Sequence, residues 1–223
     1  ASMELAPKFL LSRMVKQATG AVNPPKDYAR EAIQTLDNKV WVAIRKDYKK
    51  NPADYIIELM EYAYRRYKVR LFLIDSLMKC GIDEDDLQGQ KQFVDKLCEF
   101  KTRTDTHVIL ITHPRKLDGE DRQTNKMDVK GSGAITDLAD NVLIVWRNKK
   151  WEELKLKVED NQELDEGDQK YYEKSCGTVL SLVKNRNGGI EKRFSLFYRN
   201  NQFIEYQTQP IRRYVQPPMR QAS

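Results

Sequence analysis

The chain has 223 residues, 40% of them hydrophobic and 32% charged, which is material for one large domain with a substantial core. No apolar run approaches the ~20 residues of a membrane helix and nothing at the start reads as a signal peptide, which argues against a membrane or secreted class. Three cysteines without CxxC spacing argue for reduced intracellular thiols, two histidines argue against a zinc site, and the net charge of +6 points toward a polyanionic partner.

In chain order, Phe9, Leu10, Met14 and Val15 repeat at helical spacing and Gly20 suits the helix end, after a short strand that closes on Glu4. Asn23-Pro24-Pro25 breaks the chain, and a second helix is expected from about Lys26 to Leu36. Residues 40–44 read as a strand. Asn51-Pro52 is a helix start, an N-cap side chain followed by proline at the first position, and Ile56, Ile57, Met60, Ala63 and Tyr64 lay an apolar stripe toward Tyr67. Residues 69–74 are a short apolar run, of the kind buried on both faces in parallel sheets, that ends in Asp75.

Acidic residues 83–86 suit a helix N-terminus, and Leu87, Phe93, Val94, Leu97 and Phe100 supply the buried face of the helix that follows. Residues 108–112 form another apolar strand, closing on His113. A polar loop follows to Lys130, then Gly131-Ser132-Gly133 and a helix through Ala139. Strands are expected over 141–146 and 178–183, separated by a charged surface insertion at about 148–177 that could hold two helical turns or a ribbon. Turns at Asn187-Gly188-Gly189 and Asn200-Asn201 make 190–206 an antiparallel edge, and the basic tail 207–223 is expected to be loose. Strands alternating with helices and ending in an antiparallel edge define an α/β sheet of mixed strand order.

Polar groups at the same end of several strands form one site on such a sheet. Glu4, Asp75 and His113 each close a strand, and Lys184-Asn185-Arg186 follows another. An aspartate in the position of Asp75 suits a magnesium site reached through water, and the bland alternative is that it caps the next segment. Ser2-Met3-Glu4, Leu73-Ile74-Asp75-Ser76, Ile111-Thr112-His113-Pro114-Arg115-Lys116, Lys130-Gly131-Ser132-Gly133-Ala134 and Lys184-Asn185-Arg186-Asn187-Gly188 together resemble the ordered motifs of the RecA-like ring helicases, the group of DnaB, the phage primase-helicases and Twinkle. Each motif is weak alone, and their shared order over about residues 1–206 gives the resemblance its weight.

The resemblance implies a three-layer RecA-like sheet, mainly parallel with an antiparallel edge hairpin, spanning 1–206 as a portion of a helicase ATPase domain. It implies that Glu4 orients and polarises the water attacking the γ-phosphate, that Asp75 holds the shell of Mg2+, and that His113 senses the γ-phosphate. A frayed terminal glutamate and a hydrogen-bonded histidine at a strand end are the alternatives. Lys184 and Arg186 match fingers offered to a neighbouring subunit's nucleotide. Arg147 and Tyr198 match positions that hold its base, though an arginine after a strand and a hairpin tyrosine are common surface features. Arg115, Lys116, Arg122, Lys126 and Lys130, with Gly131, Ser132 and Gly133, match the loop that faces single-stranded DNA. That loop also carries Asp118, Glu120, Asp121 and Asp128 and nets about one positive charge, so a merely solvated loop is the competing reading.

One departure from the family is decisive. No GxxxxGK[ST] phosphate loop occurs in the sequence, so the expectation is a piece of a longer protein, inactive alone. The whole protein is then expected to use Mg2+ and ATP or another NTP, and to act as a homo-oligomer on single-stranded DNA. By resemblance that assembly is a hexameric ring, with a possible primase or loader as partner and a cytoplasmic setting in a bacterial cell, encoded by phage or prophage. The competing functions are a RecA-like recombinase or other ring ATPase without unwinding activity, and a DNA-binding or assembly module that has no phosphate loop.

Overall fold

The computed structural model describes residues 4–43, 51–115, 122–129, 131 and 133–217. It is a mixed α/β chain in two compact units, one of residues 1–11, 38–115 and 127–140, the other of residues 12–37, 116–126 and 141–223. No described helix is long and apolar enough to cross a membrane.

The first unit is built on a parallel pair of strands, β1 (Leu71–Ile74) and β2 (His107–Leu110), in the register Leu71↔His107 to Ile74↔Leu110. The helix before β1, α3 (Pro52–Tyr67), starts where expected: Asn51 accepts from the Ala53 amide at 2.8 Å and Pro52 takes the first turn. The crossover helix α4 (Leu87–Thr104) is capped by Asp86, which accepts from the Gly89 amide. Ile56 and Met60 of α3, Phe93, Leu97 and Phe100 of α4, and Phe72 and Ile74 of β1 make one core, with the short helix α5 (Gly133–Leu138) adding Ile135. The Phe100 ring meets Phe72 and Tyr64 edge-on, at 5.3 and 6.4 Å. Contrary to the expectation of burial on both faces, Leu71, Leu73 and Ile109 are exposed, because only alternate residues of each strand face this core. Residues 40–43 carry no strand; the Trp41 ring stacks on Tyr67 at 5.3 Å, so this apolar stretch is satisfied by an aromatic contact rather than by a ladder.

The second unit holds an antiparallel sheet, β3 (Asn141–Arg147), β4 (Thr178–Asn185), β5 (Lys192–Arg199) and β6 (Gln202–Ile204), in the order β3-β4-β5-β6. A mainly parallel sheet with an antiparallel hairpin at its edge is therefore not what the described residues form: the antiparallel sheet has four strands and the parallel sheet only two. The cause lies in the charged insertion. It folds as two helices, α6 (Lys149–Glu159) and α7 (Glu166–Lys174), and its two ends are tied together. The Asn148 amide donates to Gly177 O at 2.9 Å and the Asn148 side chain to Cys176 O at 3.1 Å, so the chain re-enters the sheet beside the point it left and must run back. Trp151 anchors the excursion, buried, stacked on Tyr172 at 5.3 Å and donating through Nε1 to Tyr172 O.

The remaining helices are α1 (Pro7–Thr19) and α2 (Lys26–Leu36). Val15, Tyr28, Ala32 and Val215 form a small core, so the tail expected to be loose is packed at Val215. The Tyr214 amide donates to Ala18 O at 2.8 Å. Gly20, with φ +66, lies so close under the tail that a Cβ there would meet Ile211 Cγ2 at 2.6 Å and Arg212 O at 2.9 Å.

Candidate functional site

In the first unit the chain beyond β1 and β2 stays paired after the strands end. The Ile111 amide donates to Ile74 O and the Leu77 amide to Ile111 O, both at 2.9 Å. This holds Asp75-Ser76 alongside the segment 111–113 at the carboxyl edge of the parallel pair, where α/β sheets present ligand-binding groups. Onto this edge comes the side chain of Glu4, from a bend rather than a described strand. The Ser76 hydroxyl donates to Glu4 Oε1 at 2.7 Å, and His113 Nε2 reaches the same oxygen at 3.3 Å. Three segments far apart in sequence thus close on one carboxylate. Asp75, half-buried, precedes Ser76 through a cis peptide bond.

The electrostatics follow from the contacts. The Ser76 hydrogen bond, then that of His113, holds the Glu4 carboxyl below its ordinary value of 4.5, against a smaller desolvation cost. Glu4 is therefore a carboxylate at neutral pH, and a carboxylate only accepts, so His113 carries a proton on Nε2 when it makes this bond. Asp75 offers hard oxygen donors, the chemistry that suits magnesium. Among the described residues no three His, Cys, Asp or Glu side chains gather as a ligand set, so an ion here would take most of its shell from water and phosphate.

The loop residues fall less tightly. Arg115 is exposed; its amide donates to Asp128 O at 2.7 Å and its guanidinium reaches Gly131 O at 3.5 Å, while Pro114 bridges Val129. Gly131 has φ +107 and a Cβ there would stand 2.4 Å from Gln90 Oε1, so the backbone needs glycine at this point. Gly133 opens α5 with open space around its Cα. Arg122 and Lys126 are grouped with the second unit and Arg115 with the first. Lys116, Lys130 and Ser132 lie outside the described residues.

In the second unit Lys184 is the last residue but one of β4 and Arg186 is exposed in the turn after it. The turn is set by Asn185, whose side chain accepts from the Gly188 amide at 3.0 Å. The β3–β4 register skips Val183, with Leu143↔Leu182 and Val142↔Lys184. This bulge puts Lys184 across from Val142 instead of continuing the Leu180-Leu182 face. Arg147 is held by Glu152 in a fork, Nε to both carboxylate oxygens at 2.8 Å, which raises its already high pKa and leaves the guanidinium faces open to stacking. Tyr198 donates to Asn201 Oδ1 at 3.3 Å and its exposed ring tilts against Phe203 at 5.2 Å. Arg147 pairs with Thr178, Thr178 with Leu196, and Tyr198 lies two residues beyond, so both residues stand on one face at one end of the sheet.

Two partners escaped the sequence reading. Ser76 was visible only as the polar residue after Asp75, and Glu152 had no signal beyond its place one helical turn into the insertion. The chain matches no known family model.

Proposed function

We propose that this chain is the motor portion of a RecA-like ring helicase, coupling NTP hydrolysis between subunits to movement on single-stranded DNA and unwinding of duplex. The supporting observation is the convergence of Glu4, the Asp75-Ser76 step and His113 on one carboxylate at the edge of the parallel pair. Glu4, ionised and with its acidity strengthened, is a weak proton acceptor, so its work is to orient and polarise a water rather than to hold its proton. Asp75 would hold Mg2+ through water; the ion, bound with its nucleotide, neutralises phosphate charge. His113, in contact with Glu4, is the group through which occupancy of the site would reach the adjoining Pro114-Arg115 segment. Lys184 and Arg186 serve a neighbouring subunit, and Arg147 and Tyr198 the base.

The test uses the longer, intact protein that this reading expects, one that carries a phosphate loop. Glu4→Gln should leave NTP binding in place and lower DNA-stimulated hydrolysis by roughly 10²–10⁴-fold. Strand displacement should fall with it. Hydrolysis at the unaltered rate in Glu4→Gln overturns the assignment, and hydrolysis without any strand displacement by the unaltered protein favours a ring ATPase that does not unwind.

A further inference from the structure

We infer that Ser76 is the positioning residue of the Glu4 carboxylate, holding Oε1 through its buried hydroxyl so that Oε2 is the oxygen presented to the attacking water. The inference rests on the reading of Glu4 as the water-orienting group. Ser76 is fully buried, so its single hydroxyl proton has no bulk water to go to, and it is spent on Glu4 Oε1 at 2.7 Å. His113 Nε2 reaches the same atom from a half-exposed ring at 3.3 Å, a longer and more screened contact. The hydroxyl is thus the firmer of the two holds. With both donors on Oε1, the lone pairs of Oε2 are the ones left to order a water, and the rotamer is fixed without occupying that oxygen. Ser76 also follows Asp75 directly, so one stretch of backbone carries both the metal-side carboxylate and the group that aims the water-side one.

The decisive measurement is a carboxyl NMR titration of Glu4 in the 223-residue chain, which requires no hydrolysis. Ser76→Ala should move the Glu4 midpoint up toward its ordinary value, with the rest of the spectrum retaining its dispersion. Ser76→Cys, similar in size but a weak donor, should fall between, and it carries the test if the alanine variant does not fold. In the intact protein Ser76→Ala should lower kcat by roughly 10–100-fold with KM for NTP unchanged, the size expected when one hydrogen bond to a charged group is lost. A Glu4 midpoint that stays put in both variants overturns the inference, whatever the protein hydrolyses. A midpoint that moves while kcat does not supports the hold by Ser76 and overturns instead the hydrolytic role of Glu4.

Discussion

The Tyr28 hydroxyl donates to the Val215 carbonyl oxygen at 2.5 Å, tying α2 to a segment 187 residues further on. Tyr28 and Val215 are both buried, so neither group of this bond can turn to water instead. Tyr28→Phe keeps the ring and removes only the donor, and should cost about 1–2 kcal/mol of unfolding free energy in urea. Truncation after Gln209 removes Val215 from its core as well and should cost more than the phenylalanine change. Equal stability of the truncated and full chains would show that the tail does not belong to this core.

The first unit depends on Phe100 in the same way. It is 1% exposed and packs edge-on against Phe72 and Tyr64, joining α4 to β1 and α3. Phe100→Ala should cost about 3–5 kcal/mol, a transfer term plus the cavity left between the helices. Phe100→Leu, which refills most of the space, should cost clearly less. Chemical denaturation of the two variants side by side checks the order.

Much of this was legible in the sequence because the signals were local. Asn51-Pro52, the Asp83–Asp86 start and the Asn187-Gly188-Gly189 turn each carry their own chemistry within a few residues, and the elements stand where that chemistry put them. What failed was long-range. The hydrophobic run at 40–44 has strand composition, yet nothing local says that Trp41 will stack on Tyr67. The direction of β4 relative to β3 was set by the Asn148 to Gly177 tie, a pairing across the whole insertion. For the site, residue types marked Glu4, Asp75 and His113, but the group that holds Glu4 is a serine, a residue common enough that only the 2.7 Å contact singles it out.

Cysteine reactivity gives an independent check on the first core. Burial pushes the Cys80 thiol up to about 12, so at pH 8 only about one molecule in ten thousand carries its thiolate. Cys98 is half-buried, and Cys176 is buried with its thiol on Thr178 O at 3.2 Å. Under native conditions a maleimide should therefore modify Cys98 first and leave Cys80 unreacted until the unit unfolds. Mass mapping of Cys80 labelling at the rate of Cys98 would contradict its burial.

The acidity of Glu4 sets a direction for stability against pH. Its folded value lies below the ordinary 4.5, mainly through Ser76, so the contact stabilises the fold above pH 4.5 and is lost as pH falls through the depressed value. With the side chain 32% exposed the contribution is small. Glu4→Gln should narrow the gap in melting temperature between pH 7 and the acid range. An unchanged gap in Glu4→Gln would show that this contact does not contribute to acid stability.

Arg186 offers the strictest test of a role that needs two subunits. It stands exposed in the turn between β4 and β5, whose shape Asn185 and the positive φ of Gly189 maintain, so alanine at 186 should disturb neither strand. A guanidinium at such a turn can fork onto the transferring phosphoryl group of a neighbour, a geometry a lysine lacks. In the intact protein Arg186→Ala should leave nucleotide binding and the melting temperature near their original values. Hydrolysis should fall by roughly 10³–10⁵-fold, the range of arginine fingers in nucleotidases. Action across an interface further requires complementation. When Arg186→Ala subunits are mixed with Glu4→Gln subunits, some interfaces join an intact glutamate to an intact arginine, and those rings should recover some of the activity. Lys184, at the strand end before the turn, supplies the internal comparison, since Lys184→Ala should behave alike in mixing if both groups face the same neighbour. Mixed rings that form by native mass spectrometry and remain inactive, from two parents each inactive alone, would place Arg186 outside the neighbouring subunit's site.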